Sequence, residues 1–399
     1  MERSQERNGG EGVAGREPGG EGLRLRREIG LWSAVSLMAG CMIGSGVFMS
    51  PQGVLVYMGS PGASLVVWAG CGLLAMMGAL CYAELSALVP KSGGEYAYIL
   101  QIFGSLPAFL VIYTFVLLVR PAAIAAVSLS FAEYAVTPFY PGCSSMPQAV
   151  LKGVAASCIL LLTLVNCWSS RLATMLVNVC AVAKVFSLLV IVVGGAVVLG
   201  QGWGHTETFL LAFHNTTQQA GRIGMAFYQG MWSFDGWNNV NYVVEELKNP
   251  KPQLLSMVHV HRLTPTPALM FTTAVALVLV IPGSFSTIVN FLSFLGWITY
   301  GTTIGCLLYL RLKKKNLPRP YKVPTIIPVI MLLASLYLVL APIIDHPQIE
   351  FLYIFLFLLS GIPVYFLFVY FQCQPRCLQM ATLYLQLLLE VAPTTKNVD

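Results

Sequence analysis

Residues 31–54 read LWSAVSLMAGCMIGSGVFMSPQGV. The run carries no charge and exceeds the ~20 residues a helix needs to cross a ~30 Å hydrocarbon core. In its middle, Gly40-Cys-Met-Ile-Gly-Ser-Gly-Val-Phe places Gly44 and Gly46 on either side of Ser45, poor helix formers inside an apolar run. Non-helical backbone at membrane depth is tolerated only where it is buried in protein or lines a cavity. A break here leaves the half-helix from Val47 onward with free N–H groups and a positive dipole end, which suits an anion such as a carboxylate. Glycines serving close helix packing are the competing reading.

Working outward, the charge map generalises this span. No charged residue occurs between Glu28 and Glu84, a run of 55, or between Arg262 and Arg311, a run of 48. Each run accommodates two membrane helices. Of the 399 residues 56% are apolar and 10% charged, with a mean hydropathy of +0.73. Soluble domains average about 25% charged residues, so a soluble enzyme, a disordered chain and a nucleic-acid-binding protein are all excluded. The chain reads as an all-α polytopic membrane protein. Ten spans are expected near 31–54, 63–86, 106–134, 149–168, 173–199, 221–244, 266–283, 288–310, 324–344 and 351–371. The first 23 residues form a polar tail without the apolar stretch of a secretory signal.

With the N-terminus placed inside, fifteen basic residues fall on cytoplasmic flanks: Arg24, Arg26, Arg27, Lys91, Arg171, Lys248, Lys251, Arg262, Arg311, Lys313, Lys314, Lys315, Arg319, Lys322 and Arg376. Only Lys152 and Arg222 fall outside. The positive-inside rule then puts both termini in the cytoplasm. The net charge of +6 is thus an orientation code.

Span 6 repeats the interruption of span 1. Met231-Trp-Ser-Phe-Asp-Gly-Trp-Asn-Asn sets Asp235 and Gly236 at mid-depth in an apolar segment. An intramembrane carboxylate is costly, and its expected partner is a cationic substrate group or a basic residue of the protein. Spans 1 and 6 would open two five-helix halves, and matched breaks at corresponding positions point to a midplane transporter site. Lys184 in span 5 is too deep to snorkel easily. It serves either as an internal cation or as a structural lysine satisfying the unwound carbonyls of span 1. Arg120 precedes Pro121 in span 3, where the proline kinks the helix; a structural ion pair is its plainer reading.

Of ten cysteines, Cys143 alone lies in an expected external loop, where an intermolecular disulfide and a free thiol are evenly balanced. Cys373 and Cys377 face the reducing cytoplasm, as unmodified thiols or palmitoylation sites. The five histidines lack metal-ligand spacing, with His259 and His261 read as a solvated loop pair. No nucleophile–base set appears, so neither an enzyme nor a metal or organic cofactor is expected.

Several motifs together resemble the light subunits of heteromeric amino acid transporters, within the amino acid–polyamine–organocation superfamily. They are Gly44-Ser-Gly-Val-Phe, Cys81-Tyr-Ala-Glu-Leu, Lys91-Ser-Gly-Gly-Glu-Tyr, Trp232-Ser-Phe-Asp-Gly-Trp-Asn, Glu245-Glu-Leu-Lys-Asn-Pro and Arg319-Pro-Tyr-Lys-Val-Pro. The resemblance runs from about residue 24 to 393 and is nearest the cystine/dibasic or aromatic-preferring branch. It implies an inverted-repeat five-helix transporter fold and sodium-independent exchange of L-amino acids at the plasma membrane, apical in epithelia. It also implies a single-span glycoprotein heavy chain, disulfide-linked through Cys143. Carried over by motif, Ile43, Gly44, Ser45 and Gly46 would hold the α-carboxylate and part of the α-amino group. Carbonyls from Trp232 through Ser233 to Phe234 would complete the amino site. Trp232 would gate it, Asp235 beside Gly236 would meet a cationic side chain, and Lys184 would stand as the structural cation.

The departures carry as much information. The family has twelve spans. Here the sequence passes from Glu245-Glu-Leu-Lys-Asn-Pro-Lys-Pro directly to Ser256-Met-Val-His-Val-His-Arg-Leu-Thr-Pro-Thr-Pro, which resembles the approach to the family's ninth span. Two spans appear to be lost near residue 255, an even number that leaves every later span correctly oriented. The expected organisation is a polar tail (1–23), a first five-helix repeat (24–200), an incomplete second repeat (201–311), two last spans after a basic loop (312–371) and a cytoplasmic tail (372–399). Helices that should be covered would then face lipid. The chain is either a weakened exchanger or a non-transporting form that competes for the heavy chain. Among smaller departures, Phe234 and Ala122 replace hydroxyl residues of the cystine/dibasic branch, which favours bulky neutral substrates. Val391-Ala-Pro lacks the first proline of a trafficking motif, Asn215-Thr-Thr is a sequon, and residues 378–391 would form an amphipathic surface helix.

Overall fold

The structure is a computed structural model. It describes residues 43–89, 93–140, 147–201, 211–238, 257–259, 266–314, 319, 321–345, 349–371 and 391–393. Seven helices within these residues are long and apolar enough to cross a membrane. Three shorter helices, α1 (Gly46–Met58), α8 (Ala220–Ser233) and α9 (Thr266–Val280), stand at the remaining three of the ten expected places.

Local chemistry sets the boundaries. Gly59, at φ 73°, caps α1 in the left-handed conformation glycine adopts without strain. Pro61, which needs no donor there, opens α2 (Pro61–Leu88). A short cytoplasmic-side helix, α3 (Gly94–Phe103), turns at Gly104 into α4 (Ser105–Thr114). Between α4 and α5 (Arg120–Val136) lies a π turn, Phe115–Val119. The Arg120 N–H reaches back to Phe115 O, just ahead of Pro121. The helix widens where proline withholds its donor, which replaces the expected kink. Then follow α6 (Gln148–Trp168) and α7 (Ser170–Gly200), the latter capped by Ser169, whose hydroxyl accepts the Leu172 N–H at 3.3 Å. After α9 come α10 (Phe285–Lys313), capped likewise by Ser284, α11 (Ile326–Asp345) and α12 (Ile349–Tyr365).

One antiparallel pair of three-residue strands, β1 (Met257–His259) and β2 (Val391–Pro393), matches Val258 to Ala392. His259 therefore lies in a strand, not the loop expected for it. Four helices separate β1 from β2, so their pairing places the segment after the span-6 region and the tail on one side.

The main core gathers α1, α2, α8, α10 and α11 around Val54, Cys71, Tyr82, Tyr228 and Leu307. A second cluster joins α5, α6 and α9 through Ala122, Ala125, Ala126, Ala155 and Ala276, whose small side chains let the backbones approach. The 31-residue α7 has no buried residue; Val182, Phe186, Leu189 and Ile191 all project outward. It is the helix left without cover.

Candidate functional site

Both expected breaks exist, and the fold brings them together. Helix α1 starts at Gly46, one residue before the expected Val47, with Ile43, Gly44 and Ser45 forming its non-helical entry. The Phe48 and Met49 N–H groups donate to Ser45 O at 3.2 and 3.1 Å, and the Ser45 side chain caps nothing. The N–H groups of Gly46 and Val47 precede the first helical bonds and point into the break. Helix α8 ends at Ser233. The Phe234 N–H closes on Met231 O at 3.1 Å, the Asp235 N–H on Trp232 O at 3.4 Å, and Gly236 turns the chain at φ 104°. That φ belongs to glycine.

The two half-helices run antiparallel. A Cβ on Gly46 would lie 2.7 Å from Ser233 Cα and 2.9 Å from the Trp232 ring. A Cβ on Gly53 would meet the Gln229 side chain at 3.1 Å. At the outer end the Thr217 N–H donates to Met58 O at 3.0 Å. The N-terminus of α1 and the C-terminus of α8 therefore open on one gap, with donors and positive dipole on one lip and carbonyls and negative dipole on the other. This pairing complements a zwitterion. The Ser233 hydroxyl is buried at the lip with no hydrogen-bond partner in the protein, a group a ligand can satisfy.

Asp235 is exposed, while its neighbours Ser233, Gly236, Trp237 and Asn238 are buried. Arg120, whose guanidinium lies 4.7 Å over the Phe115 ring, and Glu95 are the charged side chains whose fields reach it. Trp232 is half-buried, edge-on to Phe285 at 6.3 Å and packed against the alanine cluster that includes Ala122. The Phe234 ring turns away to Trp68 (5.9 Å between centroids) and Gly72 on α2. A hydroxyl at position 234 would therefore sit against α2, apart from the Gly44–Ser45–Gly46 lip. Lys184 lies half-exposed on α7 and, among the described residues, has no hydrogen bond or ion pair. It does not join the residues of the break. Cys143, Cys373, Cys377 and residues 378–390 lie outside the described residues.

Three polar groups around the break were not singled out from sequence. Buried Glu95, in the first turn of α3, accepts from Tyr82 Oη at 3.0 Å and from Asn238 Nδ2 at 2.9 Å. Trp237 packs edge-on to Tyr82 (4.8 Å) and against Tyr300 (5.1 Å), so the far lip of the break is fastened to α2, α3 and α10. One turn above Ser233, Gln229 donates to Asn290 Oδ1 at 2.9 Å, and Asn290 Nδ2 donates to Tyr57 Oη at 3.3 Å. At the opposite end of α10, Arg311 grips Glu84 by two bonds, Nε to Oε1 at 3.0 Å and Nη2 to Oε2. The Val323 N–H also donates to Glu84 Oε2, at 2.8 Å. The only sequence signal for Glu95 and Glu84 was a carboxylate at the edge of an apolar run.

A bundle of apolar helices with two broken helices facing each other defines a membrane transporter class, and comparison with known proteins agrees. Residues 29–254 match the family described as amino acid permease. The chain is 36% identical to the b(0,+)-type amino acid transporter 1 of Mus musculus and 35% identical to that of Homo sapiens, covering 94% of this chain and 95% of each relative. It is 33% identical to the large neutral amino acids transporter small subunit 2 of Mus musculus, covering 90% of this chain and 84% of the relative. The chain belongs to the amino acid permease family, as a relative of the light subunits of heteromeric amino acid transporters, and not to any enzyme family. In the first of these comparisons 465 aligned positions draw on 94% of 399 residues, about 375, so about 90 positions have no counterpart in this chain.

Proposed function

We propose that this chain is the light subunit of a sodium-independent amino acid exchanger, working by alternating access around the gap between Gly46 and Ser233. The α-carboxylate binds the N–H groups from Ile43 to Val47. The α-ammonium binds the carbonyls at Trp232, Ser233 and Phe234. Trp232 closes over the ligand, and Asp235, with Gly236 freeing its turn, faces the substrate side chain. The observation that carries this reading is the antiparallel approach of α1 and α8, which sets opposite dipole ends on one gap.

The heavy chain joins through a disulfide at Cys143, both termini lie in the cytoplasm, and the complex works at the plasma membrane. The charge asymmetry supports that orientation. The two missing spans fall at the Leu255–Ser256 junction. In support, the amino acid permease match ends at residue 254, and about 90 unmatched positions suffice for two spans with their loops.

The bare surface of α7 and the isolation of Lys184 favour a second reading, a non-transporting form that binds the heavy chain and competes with full-length light subunits. Uptake of labelled L-amino acid into proteoliposomes separates the two. An active exchanger gives heavy-chain-dependent, counter-substrate-driven uptake by this chain alone. The competing form gives none, and lowers uptake when co-expressed with a full-length light subunit.

A further inference from the structure

Between Arg311 and Lys322 the chain carries six basic residues and no acid, and the next acidic residue is Asp345. The structure divides them by task. Arg311 is consumed by Glu84 in the buried pair described above. Arg319 folds back over the end of α10, donating Nη2 to the carbonyls of Leu310 (3.3 Å) and Lys314 (3.2 Å), while its buried Nε has no partner in the protein. Lys313, Lys314 and Lys322 are exposed, and among the described residues none has an ion pair. The Lys313 ammonium sits 5.3 Å over the Tyr309 ring, which in turn contacts Phe103 at 6.2 Å. Tyr321, Phe103 and Leu312 are exposed beside them.

Exposed aromatic rings at the end of a membrane helix mark the headgroup level. Lysines held there without counter-charge face the phosphate layer, where each adds to the attraction of anionic lipid. We propose that the end of α10 and the loop into α11 form a docking surface for an anionic phospholipid headgroup. Lys313, Lys314 and Lys322 supply the charge, Arg319 orders the loop, and Tyr309 and Phe103 set the depth. The leaflet follows from the orientation adopted above; headgroup binding itself does not depend on it or on transport.

The test is native mass spectrometry of the full chain in detergent, titrated with phosphatidylserine or phosphatidylcholine. Phosphatidylserine adducts should form preferentially. The variant K313Q/K314Q/K322Q should weaken them by at least about tenfold, K313R/K314R/K322R should restore them, and K152Q, at the far end of α6, should leave them unchanged. Raising the ionic strength of the titration from about 0.05 to about 0.3 M should erode the preference of the unmodified chain, since the sites are exposed. Equal binding of the two lipids would overturn the proposal. So would full retention in the glutamine variant, a matching loss in K152Q, a preference indifferent to salt, or displacement of the lipid by an equal concentration of inorganic phosphate. The salt series keeps the proposal falsifiable if the glutamine variant fails to fold.

Discussion

Gly46 and Ser233, 187 residues apart in sequence, pack so closely that a single added methyl on Gly46 would fall 2.7 Å from the Ser233 Cα. The breaks in the two half-helices are therefore one structural feature, and the missing side chain is what permits it. Gly46→Ala must push α1 from α8 at backbone atoms that cannot swing aside. Overpacking of this kind costs about 1–3 kcal/mol, read as a lowered melting temperature together with loss of stabilisation by L-amino acids. Gly72→Ala, whose methyl would meet only the Phe234 ring at 3.4 Å, is the matched control and should be near neutral.

Gly236 holds φ 104° at the far lip of the break. Gly236→Ala places an L side chain in a region it rarely adopts, at a cost of order 1–3 kcal/mol. Because the strain is at the turn and not in the core, amino acid affinity should fall more than thermal stability. Equal losses of both would place Gly236 outside the site.

Glu95 fastens Asn238 and Tyr82 together beneath the break. Glu95→Ala strands both buried donors, about 1–3 kcal/mol for each left unsatisfied. Glu95→Gln keeps one acceptor oxygen and should lie between the alanine variant and the native chain. Alkylation of the buried Cys81 thiol, followed site by site with mass spectrometry, should speed up in the order native, glutamine, alanine. A glutamine variant as reactive as the alanine variant would mean that charge, and not hydrogen bonding, does the fastening.

The Glu84–Arg311 pair is wholly enclosed. Removing one partner leaves an uncompensated buried charge, so Arg311→Met should cost about 3–5 kcal/mol. The double variant E84Q/R311M should be less damaged than R311M alone. Detergent melting of the four proteins of the cycle measures the coupling, and additive losses would contradict a direct pair.

Much of this architecture is legible in the sequence, for identifiable reasons. Membrane helices announce themselves by length and lack of charge, and a break inside one by Gly44, Ser45, Gly46, Asp235 and Gly236 where the surrounding residues are apolar. The fastenings were hidden because they join distant segments: Glu95 meets Asn238 across 143 positions and Glu84 meets Arg311 across 227. No local pattern encodes such a pairing. Phe234 shows the converse limit. Its position in the motif suggested the site, while its ring direction depends on room made by Gly72 on another helix. Lys184 reads as an internal cation because its depth in α7 is clear from sequence. What would cover it belongs to neighbours this chain lacks.

Equilibrium binding of a radiolabelled L-amino acid to the purified chain, competed by its amide and its N-acetyl derivative, tests the site between Gly46 and Ser233 most directly. The amide removes the negative group and N-acetylation the positive one, so each should compete at least about tenfold more weakly than the parent. G46A should abolish binding while the protein still elutes as a folded species. Competition by either derivative as strong as that of the parent amino acid, or unimpaired binding in G46A, would contradict a site built from the opposed ends of α1 and α8.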